Sequence, residues 1–265
     1  MINKNLNGEL YEIISNSFKT EYKIKENRIT FLTYSEIYRE PVISFFSYLE
    51  RRNKEVNEKI FLVAPVSSGQ EAYSLASLLL QKSKEFKIIG VDINEEALLL
   101  AKNGVVSLKR EDFRNIEKVV KIYGEQPLIN LFGKDYSQIL LEFSTKGPYT
   151  ETYNEKLKKY LSFQRKDILK EPLPKVDYTT SYNLLMYFSD NTDLFIKAFE
   201  NLISSIKKDG VISFTNYDLL ANKDALRKLN LNPEKLKEKT NFLFKFNGEM
   251  YLVEEYEGIT NLNKI

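Results

Sequence analysis

Short apolar runs alternate with segments of helical periodicity through the middle of this sequence, and this alternation limits the possible folds more than any other feature. Four runs bounded by polar turns are rich in β-branched or aromatic side chains: residues 59–64, 87–91, 176–182 and 211–215. Such buried runs separated by helices are typical of βαβ units. The sequence therefore predicts an α/β protein with a mostly parallel sheet.

The segment before the fourth run has the clearest helical pattern. Apolar residues recur on one face between Leu194 and Ile206, then Lys207 and Lys208 follow, and Gly210 lies just beyond. Cations suit the negative end of a helix dipole, and glycine suits a left-handed cap. We therefore predict that this helix ends immediately before the strand at 211–215.

Near the C-terminus, residues 242–246 and 249–253 flank the dipeptide Asn247-Gly248. Asn-Gly between two strand-like runs is the strongest short signal for a type I′ hairpin. We expect an antiparallel hairpin at one edge of the parallel sheet.

The absence of two residue types excludes several chemistries. The 265 residues include no Cys and no His, so disulfides, a thiolate nucleophile, a cysteine zinc site and an imidazole base are excluded, and we expect no metal. Lys and Arg total 39 against 37 Asp and Glu, and a net charge of +2 does not favour nucleic acid as a partner. No run reaches the roughly 18 apolar residues of a membrane span and no signal peptide is evident, so we expect a cytoplasmic protein without membrane insertion.

The first predicted strand runs into a loop of small residues, 65–69, and then into a helix. Strand, small-residue loop and helix form the nucleotide-binding corner of doubly wound folds. Gly69 would let a ligand approach the backbone, and N–H groups at the helix N-terminus would face that ligand. An ordinary βα turn is the alternative interpretation.

Asp92 ends the second predicted strand, 23 residues beyond Gly69. A Rossmann-like fold places the carboxylate that binds ribose hydroxyls at about this position. Alternatively, Asp92 or Asn94 caps the next helix, which closes at Gly104. The two interpretations are compatible, because Asn94 can cap the helix while Asp92 binds a ribose.

Five segments, in the same order, resemble motifs of the CheR family of chemotaxis methyltransferases. Residues 67–76 read SSGQEAYSLA, where the family has a loop like STGEEPYSLA. The other segments are residues 35–41 (SEIYREP, like TxFFR[DE]P), 92–104 (beginning DIN), 163–168 (FQRKDI) and 181–188 (SYNLLMYF, like CRNVLxYF). The ordered set covers about residues 33–218.

This resemblance implies a class I methyltransferase fold, which is a Rossmann-like, mostly parallel sheet of seven strands with an antiparallel edge strand. We expect a domain that binds S-adenosylmethionine at residues 46–265, preceded by a helical N-terminal segment and linker at residues 1–45 that is shorter than the family's usual N-terminal domain. Residues 105–162 carry helical patterns broken by Gly and Pro, without a clear pair of strands. We expect a helical insertion there.

The resemblance further implies how the chain holds S-adenosylmethionine. Arg39 would bind the methionine carboxylate, Glu71 the methionine amino group and Asp92 the ribose hydroxyls. A guanidinium suits a carboxylate, and a carboxylate suits an ammonium or a diol. The full set of implied donor-binding residues is Ser35, Arg39, Pro65, Ser67, Gly69, Glu71, Asp92, Ile93, Asp167, Ile168 and Asn183.

Asp167 and Ile168 would face the adenine in this scheme. The implied catalytic residues, placed near the transferred methyl group, are Arg39, Asn183 and Tyr187. Ordinary structural roles are the alternatives: a surface ion pair for Arg39, a turn for Asn183 and core packing for Tyr187.

The resemblance implies that the chain would act as an O-methyltransferase that forms methyl esters on glutamate side chains of bacterial chemotaxis receptors and releases S-adenosylhomocysteine. A glutamate is already an anion at neutral pH, so its methylation needs alignment but no base. A chain without His can supply that alignment. The partners would be cytoplasmic helices of a chemotaxis receptor, and we expect a monomer.

One position departs from the family pattern. Tyr182 stands beside Asn183, where the family has an arginine that orients the substrate carboxylate. Either another residue supplies the cation or the activity is changed. The alternative functions are therefore a catalytically impaired donor-binding scaffold or regulator, and a methyltransferase for another carboxylate acceptor.

Overall fold

The computed structural model of the protein describes residues 36–238 and 241–265. Residues 1–35, which include most of the predicted N-terminal segment and the predicted donor-binding residue Ser35, lie outside the described residues.

Ten strands and eleven α-helices make up the described part of the chain. The strands are β1 (Lys59–Val63), β2 (Phe86–Asp92), β3 (Val105–Leu108), β4 (Tyr149–Thr152), β5 (Leu161–Arg165), β6 (Val176–Ser181), β7 (Ile206–Thr215), β8 (Phe242–Phe246), β9 (Glu249–Tyr256) and β10 (Ile259–Lys264). The helices are α1 (Glu40–Arg51), α2 (Gln70–Leu79), α3 (Glu95–Asn103), α4 (Arg110–Tyr123), α5 (Gln126–Phe132), α6 (Tyr136–Lys146), α7 (Glu155–Lys158), α8 (Thr192–Ser204), α9 (Asn216–Leu220), α10 (Lys223–Lys228) and α11 (Pro233–Lys237), with a 3₁₀ turn at Leu185–Phe188.

Eight strands form one sheet in the order β5-β2-β1-β6-β7-β10-β9-β8. The first five are parallel, while β10, β9 and β8 pair antiparallel at the other edge. The predicted fold class is confirmed, with one strand more than the seven expected. The predicted hairpin is also confirmed, since Asn247 and Gly248 have φ of 47° and 84°, as a type I′ turn requires.

Helices cover both faces of the sheet, and strand β1 shows why. Phe61 and Val63 pack into the core on the side of α1 and α2, whereas Leu62 and Ala64 pack into the core on the side of α8. Successive side chains of a strand point to opposite faces, so a continuous apolar run fits a strand buried on both sides. This is the burial that the sequence pattern predicts.

The helix before β7 ends earlier than predicted. Helix α8 stops at Ser204, and Ile206 already pairs with Val176 in the sheet. Ile206 continues the apolar stripe of the helix but also suits a buried strand, and strand pairing takes it. Gly210 is therefore not a helix cap; it lies inside β7, where a Cβ would be 2.5 Å from the carbonyl oxygen of Asp177.

We expect Gly210→Ala to destabilise the protein by about 1–3 kcal/mol, because the added methyl group meets backbone atoms that cannot rotate away. Urea unfolding followed by circular dichroism measures this change in the free energy of unfolding. An unchanged transition midpoint would contradict the close approach of β6 to Gly210.

The region 105–162 contains helices α4 to α7, as expected, but also a pair of strands that the sequence analysis did not foresee. Strands β3 and β4 pair antiparallel, from Val105 opposite Thr152 to Leu108 opposite Tyr149. Each has only four residues, too few for a period-2 pattern to stand out. Helix α1 continues through residue 45, where the domain boundary was predicted. No helix in the described ranges is long and apolar enough to span a bilayer.

Candidate functional site

A cleft of about 330 Å³ opens at the carboxyl ends of β1 and β6. The chain crosses from one half of the sheet to the other between these two strands, and open α/β sheets bind ligands at such a switch point. Six predicted site residues line the cleft: Arg39, Pro65, Ser67, Glu71, Asn183 and Tyr187. The other lining residues are Glu36, Val66, Gln70, Tyr182, Met186 and Tyr217.

The loop between β1 and α2 forms one wall, and its backbone explains the small residues. Ser67 and Gly69 have positive φ angles of 47° and 93°. A Cβ on Gly69 would lie 3.0 Å from the Cβ of Ala101 on α3, so both the backbone conformation and the close approach favour glycine. Gly69 is the N-cap of α2 and packs against α3 instead of lining the cleft.

Asp92 supports this wall from the end of β2. Its carboxylate is 3% exposed and accepts hydrogen bonds from the backbone N–H groups of Ser67 (2.8 Å) and Asn94 (2.9 Å). Burial raises the pKa of Asp92, and the hydrogen bonds lower it. Asp92 therefore ties together the loop after β1 and the loop after β2, in which Ile93 lies between Asp92 and Asn94. Asn94 caps α3 as predicted. Its contact with a ribose stays a prediction.

The segment that carries Arg39 is fixed by its neighbours. Tyr38 is fully buried with φ of 49°; its N–H donates to Ser74 Oγ at 2.9 Å, and its hydroxyl bonds to Ser77 Oγ at 2.9 Å. The N–H of Ile37 donates to Asp112 at 2.9 Å. These bonds to α2 and α4 place Arg39 at the start of α1, facing the cleft.

Arg39 and Asn183 meet across the cleft. With the Asn183 amide oriented so that its oxygen faces the guanidinium, the oxygen accepts from Nη1 at 2.6 Å and Nη2 at 2.9 Å. Asn183 has φ of 59°, a left-handed conformation that asparagine tolerates better than most residues. The pair joins the segment before α1 to the loop after β6.

Glu71 projects from the first turn of α2 into the same cleft. Its carboxylate accepts a hydrogen bond from Thr180 Oγ1 at 2.5 Å. Burial raises the pKa of Glu71 to about 7, while the Thr180 bond and the nearby Arg39 charge lower it. The carboxylate is therefore balanced between its two protonation states near neutral pH, and a bound cation would favour the ionised one.

Tyr182, which stands where the resemblance predicts an arginine, contributes little to the open part of the cleft. It is 4% exposed, and its hydroxyl bonds to the carbonyl oxygen of Pro41 at 3.1 Å and to Ser213 Oγ at 3.0 Å. The side chain thus joins α1 to the sheet. Among the described residues that line the cleft, Arg39 is then the single cation.

The sequence analysis missed Asp218, which holds the loop that carries Asn183 and Tyr187. Asp218 is fully buried in α9 and accepts hydrogen bonds from the backbone N–H groups of Leu184 (3.2 Å) and Met186 (3.0 Å). Burial raises its pKa to about 6. A signal was present, because a threonine three residues before an acid marks a capped helix start, and Thr215 caps α9.

Asp167 and Ile168, predicted to face an adenine, follow β5 and lie beyond Asp92 at the same end of the sheet. Asp167 accepts from the N–H of Leu169 at 2.9 Å, and the carbonyl of Ile168 accepts from Asn201 at 2.7 Å. Neither residue lines the cleft described above, so their contact with an adenine stays a prediction.

The mostly parallel sheet with an antiparallel edge, and the cleft over its switch point, are the arrangement of the class I methyltransferase fold predicted from the sequence. Residues 40–234 match the family model described as CheR methyltransferase, SAM binding domain. The chain therefore belongs to the CheR methyltransferase family. The family and the methyl donor predicted from the sequence are both confirmed.

Individual relatives fall into two groups. The chemotaxis protein methyltransferase of Campylobacter jejuni is 29% identical over 210 residues, which cover 76% of this chain and 71% of that protein. The ribosomal RNA small subunit methyltransferase H of Sulfurihydrogenibium azorense is 29% identical over 160 residues, 57% of this chain. The match spans about half of that relative's length, 49%. Magnesium protoporphyrin IX methyltransferase of Synechocystis, solved with bound SAH, matches with 11% identity, 99% of each chain and a TM-score of 0.42.

Proposed function

We propose that the protein is an O-methyltransferase that forms methyl esters on glutamate side chains of bacterial chemotaxis receptors. The observation that carries this proposal is one cleft that brings together the side chains of three separate CheR-like motifs: Arg39, Glu71 and Asn183. The chemotaxis relative, which covers three quarters of the chain, supports the choice of acceptor. The receptor's cytoplasmic helices would be the partner.

The residues present fit the donor. S-adenosylmethionine carries an ammonium and a carboxylate at one end, and the cleft offers Glu71 for the first and Arg39 for the second. When bound, the donor supplies an electrophilic methyl group on a sulfonium. The protein's part is to hold the acceptor carboxylate in line and to exclude water.

A protein acceptor suits the cleft better than RNA. The described lining has one cation, Arg39, and two acids, Glu36 and Glu71, and the whole chain has a net charge of +2. Proteins that bind RNA gain most of their affinity from cations placed against phosphates. The charges of the cleft therefore favour a protein acceptor over RNA.

Incubation with methyl-labelled S-adenosylmethionine and a cytoplasmic receptor fragment tests the proposal. We expect label on the fragment that alkali releases, because methyl esters are labile to base, and no label when the acceptor glutamates are replaced by glutamine. Donor binding without transfer to any receptor fragment would overturn the proposal in favour of the impaired scaffold. Label that resists alkali would indicate a different acceptor.

The raised pKa of Glu71 makes donor binding depend on pH. An ammonium needs the ionised carboxylate, which the free protein loses below about pH 7. Affinity for S-adenosylhomocysteine should therefore fall by up to about tenfold for each pH unit below that value. Calorimetric titrations between pH 8 and pH 5.5 measure the slope, and Glu71→Gln should bind weakly with a flat profile. A sloping profile in Glu71→Gln would assign the titration to another group.

A further inference from the structure

Beside the transferred methyl group, the predicted site supplies Tyr187 as a hydrogen-bond donor for the acceptor carboxylate, but no second cation. Arg39 is assigned to the methionine carboxylate of the donor, and its two terminal nitrogens also donate to Asn183, at 2.6 and 2.9 Å. The family's second cation is replaced by Tyr182, whose hydroxyl is occupied by Pro41 and Ser213. A carboxylate in a partly closed cleft is stabilised by each hydrogen-bond donor that it meets, and a neutral donor can act where the second cation is missing.

Tyr217 lies where such a donor is needed. It lines the cleft, yet the residue is 68% exposed, so it lies where the cleft opens to solvent. No described residue hydrogen-bonds to its hydroxyl. A neutral phenol donates one hydrogen bond, and bonds to a carboxylate are stronger than bonds between neutral groups.

The backbone beneath Tyr217 is rigid, although its side chain is exposed. Tyr217 directly precedes the fully buried Asp218, whose N–H donates to Thr215 Oγ1 at 3.1 Å and whose carboxylate holds the N–H groups of Leu184 and Met186. The neighbouring Asn216 accepts from Thr260 Oγ1 at 2.6 Å. Hydrogen bonds on both sides of Tyr217 therefore fix the position of its backbone at the edge of the cleft.

We propose that Tyr217 is an acceptor-binding residue whose hydroxyl donates a hydrogen bond to the carboxylate that receives the methyl group. It takes over the orienting role of the missing arginine from the end of β7, the strand next to the one that Tyr182 follows. This inference rests on the proposed function, because it presumes a carboxylate acceptor. Beyond that function, it names Tyr217 as the residue that favours a carboxylate over an amide as the acceptor.

Peptide binding to the donor-product complex tests this role. The protein saturated with S-adenosylhomocysteine is titrated with a helical peptide bearing one central glutamate, and with the same peptide bearing glutamine. Tyr217→Phe removes only the hydroxyl. Tyr256→Phe is the matched control, because Tyr256 does not line the cleft and packs beside Tyr48 and Arg51. We expect Tyr217→Phe to lower affinity for the glutamate peptide by about ten- to hundredfold and to affect the glutamine peptide less.

Two results would overturn the inference: a wild-type protein that does not distinguish the peptides, or a Tyr217→Phe protein that keeps the full preference. A fall in S-adenosylhomocysteine affinity in Tyr217→Phe would assign the residue to the donor and overturn it as well. A glutamate preference that depends on Tyr217, combined with no methyl transfer to receptor fragments, would refute the receptor assignment alone.

Discussion

Asp218→Ala is expected to lower the free energy of unfolding by about 2–4 kcal/mol and to abolish most methyl transfer. The substitution leaves the buried N–H groups of Leu184 and Met186 without acceptors, and each unpaired buried group costs about 1–3 kcal/mol. The same loop carries Asn183 and Tyr187, so its displacement disturbs the cleft. Urea unfolding and the receptor-fragment assay measure the two effects.

Asp224→Ala is the matched control for this variant. Asp224 lies on the next helix, is exposed, and pairs only with Arg227 within that helix, so its removal should change stability by about 0.5 kcal/mol or less. Asp218→Asn keeps one acceptor oxygen and should fall between the two. Equal stability of the Asp218→Ala and Asp224→Ala proteins would refute the bracing role of Asp218.

Arg39→Ala should weaken binding of S-adenosylhomocysteine by about 1.5–3 kcal/mol, which is roughly ten- to hundredfold in the dissociation constant. The proposed reason is the loss of a guanidinium that binds the methionine carboxylate, together with the loss of its bond to Asn183. Arg39→Lys keeps the charge but not the forked geometry, so we expect an intermediate loss. Calorimetric titration measures all three affinities.

Arg51→Ala provides the control at the other end of the same helix, where the arginine stacks over Tyr256 away from the cleft. It should bind S-adenosylhomocysteine as the wild type does. If Arg51→Ala and Arg39→Ala lost equal affinity, the effect would come from α1 as a whole and not from a contact with the donor.

Local signals in the sequence predicted much of the fold. The cap at Asn94, the left-handed Gly104 that closes α3 and the Asn247-Gly248 turn each depend on a few adjacent residues, and the structure confirms all three. The four buried runs became strands because apolar runs that short fit a sheet covered on both faces. The motif that contains Glu71 could be placed in the same way, because it directly follows the first predicted strand.

Features that depend on distant partners could not be predicted in this way. Ile206 satisfied the helix pattern and the strand pattern equally, and only pairing with Val176 decided between them. The buried hydroxyl of Tyr182 is hydrogen-bonded to Pro41 and Ser213, which are far from Tyr182 and from each other in the chain. Asp218 acquires its role from a loop more than 30 residues away, so the local pattern indicated a helix cap and nothing about the cleft.

The central claim is that one cleft, with Arg39 and Glu71 in its lining, holds the methyl donor. Calorimetric titration of the wild type and of the double variant Arg39→Ala/Glu71→Gln with S-adenosylhomocysteine at pH 7.5 tests it most directly. The account predicts one saturable site on the wild type and no measurable binding to a folded double variant. Equal affinity in the two proteins would show that the donor binds elsewhere.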